Sequence, residues 1–446
     1  MKLWDKGFST DGKIEEFTVG KDRELDLLLA PYDILGTIAH TAMLSERGLL
    51  SKEEFSLLLP ELKSIYALTE AGKMQIAEGV EDIHSQVEFM LTERLGDLGK
   101  KVHTGRSRND QVLLDIKLFS RAAIGEIVSK VKILFELLQS RSEECKNVLM
   151  PGYTHLQVAM PSSFGLWFGA YAESLCNDLE VLLGAWKVAN RNPLGSAAGY
   201  GSSAPLDRML TTRLLGFEGM DYNVVYAQMS RGKTERIVSS ALASVAETLG
   251  RFACDCCLYN SQNFGFVKLP DSMTTGSSIM PHKKNPDVFE LIRAHCNRIA
   301  SAPEQIRAVC TNLPSGYFRD MQLLKEVYLP LFGELGSCLD IACHAVQEMK
   351  VTKDLMQDPR YALAFSVEEV NRRVAAGVPF REAYKQVGLE IQAGTFHFEG
   401  ILNHTHEGSI GNLCNAEIAR RFASILKAFD FDSVRKSCDK LLGRCC

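Results

Sequence analysis

A chain of 446 residues, 46% hydrophobic and 24% charged, reads as a folded globular protein too long for one compact core, so two or three domains are expected. A net charge of −5 with no basic tract argues against nucleic acid as a partner. Residues Met1 to Lys6 lack an apolar signal core, and no apolar run reads as long enough to span a bilayer, which gives a cytoplasmic expectation with no membrane partner.

Prolines set the frame for the elements. None occurs between Pro60 and Pro151, or between Pro205 and Pro270. In the first gap Val112, Ile116, Phe119, Ala123, Ile127, Val131, Leu134 and Leu138 recur at spacings of three and four, which predicts a long amphipathic helix with a coiled-coil-like seam. Leu166 to Val188 reads as a second helix. In the second gap Val238, Leu242, Val245, Leu249, Phe252 and Cys256 repeat the pattern, interleaved with Ser239, Ser240, Ala241, Ala243, Ser244 and Ala246. Such a helix, apolar around much of its circumference and lined with small residues, is expected to be buried on several sides in a multi-helix bundle, which other subunits could complete. Pro286 starts a helix over Asp287 to Arg307, with Asn285 at the expected N-cap. Val327 to Met349 follows. Alternating β-branched runs are almost absent, so the expected class is all-α. The expected parts are an N-terminal helical domain (1–104), a central long-helix bundle (105–355) and a small C-terminal helical domain (356–446).

The 13 cysteines are odd in number, and Cys176, Cys296 and Cys343 sit in apolar helical contexts, so they read as reduced and buried. Cys254-Asp255-Cys256-Cys257 has no second Cys/His cluster at ligand spacing, and no metal is expected there. Cys445-Cys446 has no assigned role.

Four polar stretches interrupt the helices, at 82–84, 103–111, 151–157 and 270–286. Function is concentrated on such connections. The last carries Gly276, Ser277, Ser278, Pro281, Lys283 and Asn285 just before a helix, where donors and a helix N-terminus suit an anion. A helix-capping surface loop is the ordinary reading of that composition. The 103–111 stretch places Arg106, Ser107, Arg108 and Asn109 ahead of the first long helix, which suits a carboxylate or phosphate. An Arg–Asp capping pair is its ordinary reading. His155, in a Gly-Pro turn, and His84, two residues from Asp82, are individually more typical of structural imidazoles.

Together the stretches resemble a family. GRSRNDQ (105–111), GYTHLQ (152–157) and GSSIMPHKKNP (276–286) are similar to motifs of the fumarase/aspartase superfamily, whose signature has the form G-S-S-x-x-P-x-K-x-N. EDIH (81–84), GRSRNDQ and LPSGYFRDMQLLKE (313–326) resemble its argininosuccinate lyase members in particular. The similarity runs from Leu3-Trp4 to HEGSIGNL (406–413). The resemblance implies reversible anti elimination of argininosuccinate to arginine and fumarate, with no metal or organic cofactor. It also implies a homotetramer whose active sites are shared between subunits.

Removing a weakly acidic proton beside a carboxylate builds an enediolate-like dianion, which needs donors and positive charge where that charge develops. By resemblance, Ser277 is the catalytic serine, and Lys283 and Asn285 meet the developing charge. His155, paired with Glu290, serves the departing nitrogen, because an imidazole exchanges protons near neutral pH. The sequence leaves open which of Ser277 and His155 is base and which is acid; Ser277 as base is the preferred assignment. Ser107, Asn109, Thr154, Lys283 and Asn285 are implied for the succinyl carboxylates. Tyr317, Gln322 and Lys325 are implied for the arginine moiety, with Arg108 and Arg231 as further anion contacts and Asp82 and His84 beside the substrate.

Three positions depart from the pattern. Gly20 stands where many members carry a substrate-binding Ser, with Thr18 and Lys21 as the nearby substitutes. His282 replaces a more usual Gln, and the SRGK segment around Arg231 lacks the acidic residue often found after the Arg. The alternatives are another fumarate-releasing lyase, such as adenylosuccinate lyase, and a non-catalytic crystallin-like relative.

Overall fold

The computed structural model describes residues 12–444. The Leu3-Trp4 end of the resemblance and the Cys445-Cys446 tail lie outside the described residues. Helices dominate: α1 (Asp22–Glu46), α2 (Lys52–Glu70), α3 (Ile83–Leu95), α4 (Arg108–Glu144), α5 (Phe164–Ala189), α6 (Lys233–Asn260), α7 (Asp287–Cys310), α8 (Pro330–Glu348), α9 (Ser366–Ala375), α10 (Phe380–Gln392), α11 (Asn415–Lys427) and α12 (Phe431–Leu442). The seam read from the sequence is the buried face of α4, where Ile124, Ile127, Val131 and Leu138 are at most 2% exposed.

Helices α4 to α8 form the bundle, and its directions follow from contacts along them. Gly232, before α6, is so close to Cys310, at the end of α7, that a Cβ there would meet the thiol. Phe252 of α6 meets Phe289 of α7 with ring centroids 6.1 Å apart, so the two helices are antiparallel. Gly165 of α5 sits against Ser142 of α4, which makes that pair antiparallel too. Phe332 of α8 packs on Phe119 of α4, and Arg141 of α4 donates to the Met349 carbonyl, so α8 runs parallel to α4. Every bundle helix therefore starts at one of two ends. One, the Arg108 end, holds the starts of α4, α6 and α8. The other, the Ser277 end, holds the starts of α5 and α7.

The main core spans these helices and takes in Ile418, Phe422 and Ile425 of α11, with Phe422 stacked on Phe135. A second cluster joins α1, α2 and α3, and Leu442 of α12 is part of it. A third, of Val370, Ala383 and Val387, joins α9 and α10. Two stretches, Asp22–Glu46 and Arg319–Glu348, are long and apolar enough by length and composition to cross a membrane, contrary to the sequence reading. The apolar window of the first is 72% buried and that of the second 56%, and α1 also buries Asp26, Asp33 and His40, so both serve as core helices.

The 151–157 stretch, read from the sequence only as a polar connection between helices, has regular structure. It belongs to a hairpin of β1 (Leu149–Thr154) and β2 (Gln157–Ser163), with a register shift between Pro151 and Tyr153. Its two-residue turn is His155-Leu156, with φ of 54° and 57°. Tyr153 anchors the hairpin on Phe264 and Phe266, beyond the end of α6.

Candidate active site

At the Arg108 end a cavity of about 130 Å³ is lined by Arg108, Asn109, Tyr317, Gln322 and Lys325, all expected binding residues. Helix starts place several of its groups. Ser107 caps α4: its hydroxyl accepts from the Asn109 N–H at 3.2 Å, and Asp110 accepts from the Ser107 N–H at 2.9 Å. Asp82 caps α3, accepting from the Ser85 N–H at 2.8 Å. The two caps then face each other, because Arg108 bridges to Asp82 at 2.7 Å and Glu81 at 3.1 Å. Burial opposes ionisation of Asp82, yet His84 and Arg108 outweigh it and bring the carboxyl down to about 2.

Lys325 lies buried against the same cavity, 2.6 Å from Asp26 and 3.4 Å from Asp22. Burial alone would lower its value, but the two carboxylates hold it above the usual lysine range. Burial in turn pushes Asp22 up to about 6, against the pull of Lys325. Gln322 donates to the Thr18 carbonyl at 2.8 Å, and Arg319 donates to that carbonyl at 2.9 Å and to Glu81 at 2.8 Å. Near Gly20, then, the chain offers backbone carbonyls to the wall. The Thr18 hydroxyl turns back to Ile14, and Lys21 pairs with Glu326.

Beneath the wall, His84 donates to Asp33 at 2.7 Å and lies 3.6 Å from Asp115. The imidazole's hydrogen-bond partner is thus not Asp82, two residues away in sequence, but a residue of α1, 51 residues away. Burial opposes the charged imidazole, but Asp33 and Asp115 outweigh it and raise its value to about 9. Asp33, His84 and Asp115 also bring metal-ligating atoms within 4.8 Å of one another. The charged His84 and the buried Arg106, which donates to Thr37 at 3.0 Å, oppose the negative charge there, while burial and the neighbouring Asp33 hold the Asp115 carboxyl well above the usual carboxylate range.

The Ser277 end is built differently. Thr275 and Asn285 pair across the base of the loop, with the Asn285 N–H on the Thr275 carbonyl at 2.8 Å. Asn285 is not the N-cap of α7; Pro286 takes that position, and no side chain caps it. The amide of Asn285 reaches back to the Thr275 hydroxyl instead, at 3.4 Å. Ion pairing of Lys284 with Asp271 and a Thr275–Asp287 contact pin the loop's base. Within the loop the Ser277 oxygen accepts from the Met280 N–H at 3.1 Å and the Ile279 N–H at 3.4 Å. Lys283 and His282 are exposed, as are Glu290 on α7 and Thr154 and His155 on the hairpin. Glu290 makes no ion pair with His155 within the chain.

One chain does not bring the two sets together. Ser277, Lys283, Asn285, Glu290, Thr154 and His155 all lie outside the cavity lining. Helix α7, of 24 residues, carries the serine loop about 36 Å from the Arg108 end. Helix α4, of 37 residues, sets the hairpin about 55 Å from Arg108.

Residues 7–301 match the Lyase family. Argininosuccinate lyase from Parabacteroides distasonis is 61% identical over 99% of both chains, and that from Bacteroides thetaiotaomicron is 60% identical over the full length of both. The chain belongs to the argininosuccinate lyase family. It is a lyase of the fumarase/aspartase superfamily, and its all-α fold agrees with more distant structures. An EDDS lyase variant with bound fumarate superposes with a TM-score of 0.78 at 20% identity, covering 98% of this chain and 95% of that one. Class II fumarase from Schistosoma mansoni gives 0.71 at 16% identity, over 96% and 94%.

Against that family background, sequence reading missed four residues of the cavity's charge framework: Asp22, Asp26, Glu81 and Arg319. A usable signal existed for Asp26 and its neighbour Asp33. Both interrupt the apolar run of α1, and a carboxylate on a buried helix face needs a cation.

Proposed function

We propose that the chain splits argininosuccinate reversibly into arginine and fumarate at sites completed by other copies of itself. Ser277 acts as the base. The observation that carries this is the pair of backbone N–H groups aimed at its oxygen, an environment that favours an alkoxide. Ser277 takes a proton from the succinyl CH₂, and the electron pair moves onto the adjacent carboxylate. Lys283 and Asn285 hold that charge, which exists fully only in the transition state and intermediate, so their contribution lowers the barrier. As the carbon–nitrogen bond breaks, His155, oriented by Glu290, returns a proton towards the departing guanidino nitrogen. Ser107, Asn109 and Thr154 hold the succinyl carboxylates, and Tyr317, Gln322 and Lys325, with Arg108, hold the arginine part.

Separation of the two sets by several turns of helix supports sharing between subunits, and a homotetramer is the assembly in this reading. Exposed His155 and Lys283 then enter the Arg108-end cavity of neighbouring copies. The division into helical parts at about residues 104 and 355, and cytoplasmic location, belong to the same reading.

Fumarate absorbance with argininosuccinate, adenylosuccinate and malate as separate substrates tests the reaction. A signal with argininosuccinate alone is expected, and none with it would sink the assignment. Light scattering tests the assembly: a species of single-subunit mass that retains full activity would rule out shared sites.

A further inference from the structure

A second cavity, of about 310 Å³, adjoins the first, and Arg231 lines both. It lies where the start of α6 meets the end of α7, at the segment that departs from the family pattern. Four cations border it: Arg231, Lys233, Arg236 and Arg307. Among the described residues no Asp or Glu lines it. Two of the cations are already compensated, Arg231 by Glu235 at 2.7 Å and Arg307 by Glu304 at 2.7 Å. Among the described residues Lys233 and Arg236 have no acidic partner; Lys233 lies 5.4 Å from the ring of Tyr226.

Helix dipoles do not decide the sign of this place. The N-terminus of α6 and the C-terminus of α7 meet there, and their partial charges of roughly +0.5 and −0.5 offset. The side chains remain, with two uncompensated positive charges over one recess. Its apolar lining includes Ile306, Leu313 and Met321, and Ser315 is also part of the lining. The volume is at the lower end of the roughly 300–1,000 Å³ typical of small-molecule sites.

We propose that this recess binds a phosphomonoester carried on a small apolar body, beside the substrate cavity and separate from it. A phosphomonoester is close to a dianion at neutral pH, which matches the two spare cations, whereas a monocarboxylate leaves one unmatched. Its organic part covers the apolar lining.

Phenyl phosphate is the probe, titrated calorimetrically into the intact oligomer with fumarate saturating the substrate cavity. Saturable binding is expected, weakening as salt rises. Joint substitution of Lys233→Ala and Arg236→Ala should weaken it roughly tenfold or more, with turnover of argininosuccinate unchanged. Both side chains are exposed, so the fold is expected to tolerate the change; each single variant, with a severalfold effect, provides the same reading independently. Absence of saturable binding, an affinity indifferent to both substitutions, or benzoate binding as tightly as phenyl phosphate would each overturn the proposal.

Discussion

At the Arg108 end of the bundle the charges facing the cavity are matched within the chain: Arg108 with Glu81 and Asp82, Arg319 with Glu81, Lys325 with Asp22 and Asp26. At the Ser277 end, Lys283, His155 and Glu290 stand exposed without ion-pair partners among the described residues. The donors of the first end are therefore held by partners from distant segments before substrate arrives. The second keeps its groups available for something outside the chain. A binding wall gains from fixed donors, because ordering them on binding costs entropy. In the proposed assembly the proton-transfer loop enters a wall of another copy, which fits charges left unspent within its own chain.

The largest effect should come from the exposed end. Ser277→Ala is expected to lower turnover roughly 10²–10⁴-fold, the usual scale for a lost acid–base group, with unchanged circular dichroism. Near-normal turnover would remove Ser277 from the mechanism. Mixing Ser277→Ala subunits with Gln322→Ala subunits, each nearly inactive alone, should restore activity, because some mixed sites draw an intact loop from one copy and an intact wall from another. If no activity returned after verified subunit exchange, the two ends would not share a site.

Stability should respond at the paired end. His84→Leu leaves Asp33 and Asp115 buried without their cation and is expected to cost roughly 3–5 kcal/mol in urea unfolding. A loss below about 1 kcal/mol would mean that Arg106 alone carries those carboxylates.

The pH dependence follows from the same groups. The His84 value is raised to about 9 from an ordinary 6.5. Its stabilising contribution is therefore complete below about 6.5 and disappears as pH rises through about 9. Asp82 is lowered to about 2 from 3.8, so its contribution is present above 3.8 and disappears as pH falls through about 2. Urea midpoints measured against pH should decline on the alkaline side, and the decline should flatten in His84→Leu. An equally steep decline in that variant would assign it to another group.

The smallest effect is at the hairpin tip. Leu156 holds φ of 57° without being Gly or Asn, a conformation costing roughly 1–2 kcal/mol, part of which glycine's own chain entropy would offset. Leu156→Gly should raise the unfolding midpoint by the equivalent of less than about 1 kcal/mol. A clear fall instead would indicate that another copy buries this 74% exposed side chain.

The long helices were legible because their apolar residues repeat at helical spacing over many turns, and tertiary packing reinforced that pattern. The hairpin was not. Pro151 and Pro161 oppose each other within it, and its turn lacks the Asn-Gly wording that marks a two-residue loop. Asn285 read as a cap because it precedes a helix, yet pairing with Thr275 closes the loop one residue earlier. In the candidate site, the motif residues stood out by composition. Their partners did not: Asp26 lies 299 residues from Lys325, and Glu81 lies 238 from Arg319.

The sequence by itself determined the helical class, the family and the side chains proposed for the elimination, because periodicity and local motifs survive without knowledge of contacts. Only the tertiary structure decided which charges are spent on one another and which remain free. It also decided that the serine loop and the binding wall occupy opposite ends of one chain. Both depend on helix length and direction, which turn neighbours in sequence into ends tens of ångströms apart and bring residues hundreds of positions apart into hydrogen-bond contact.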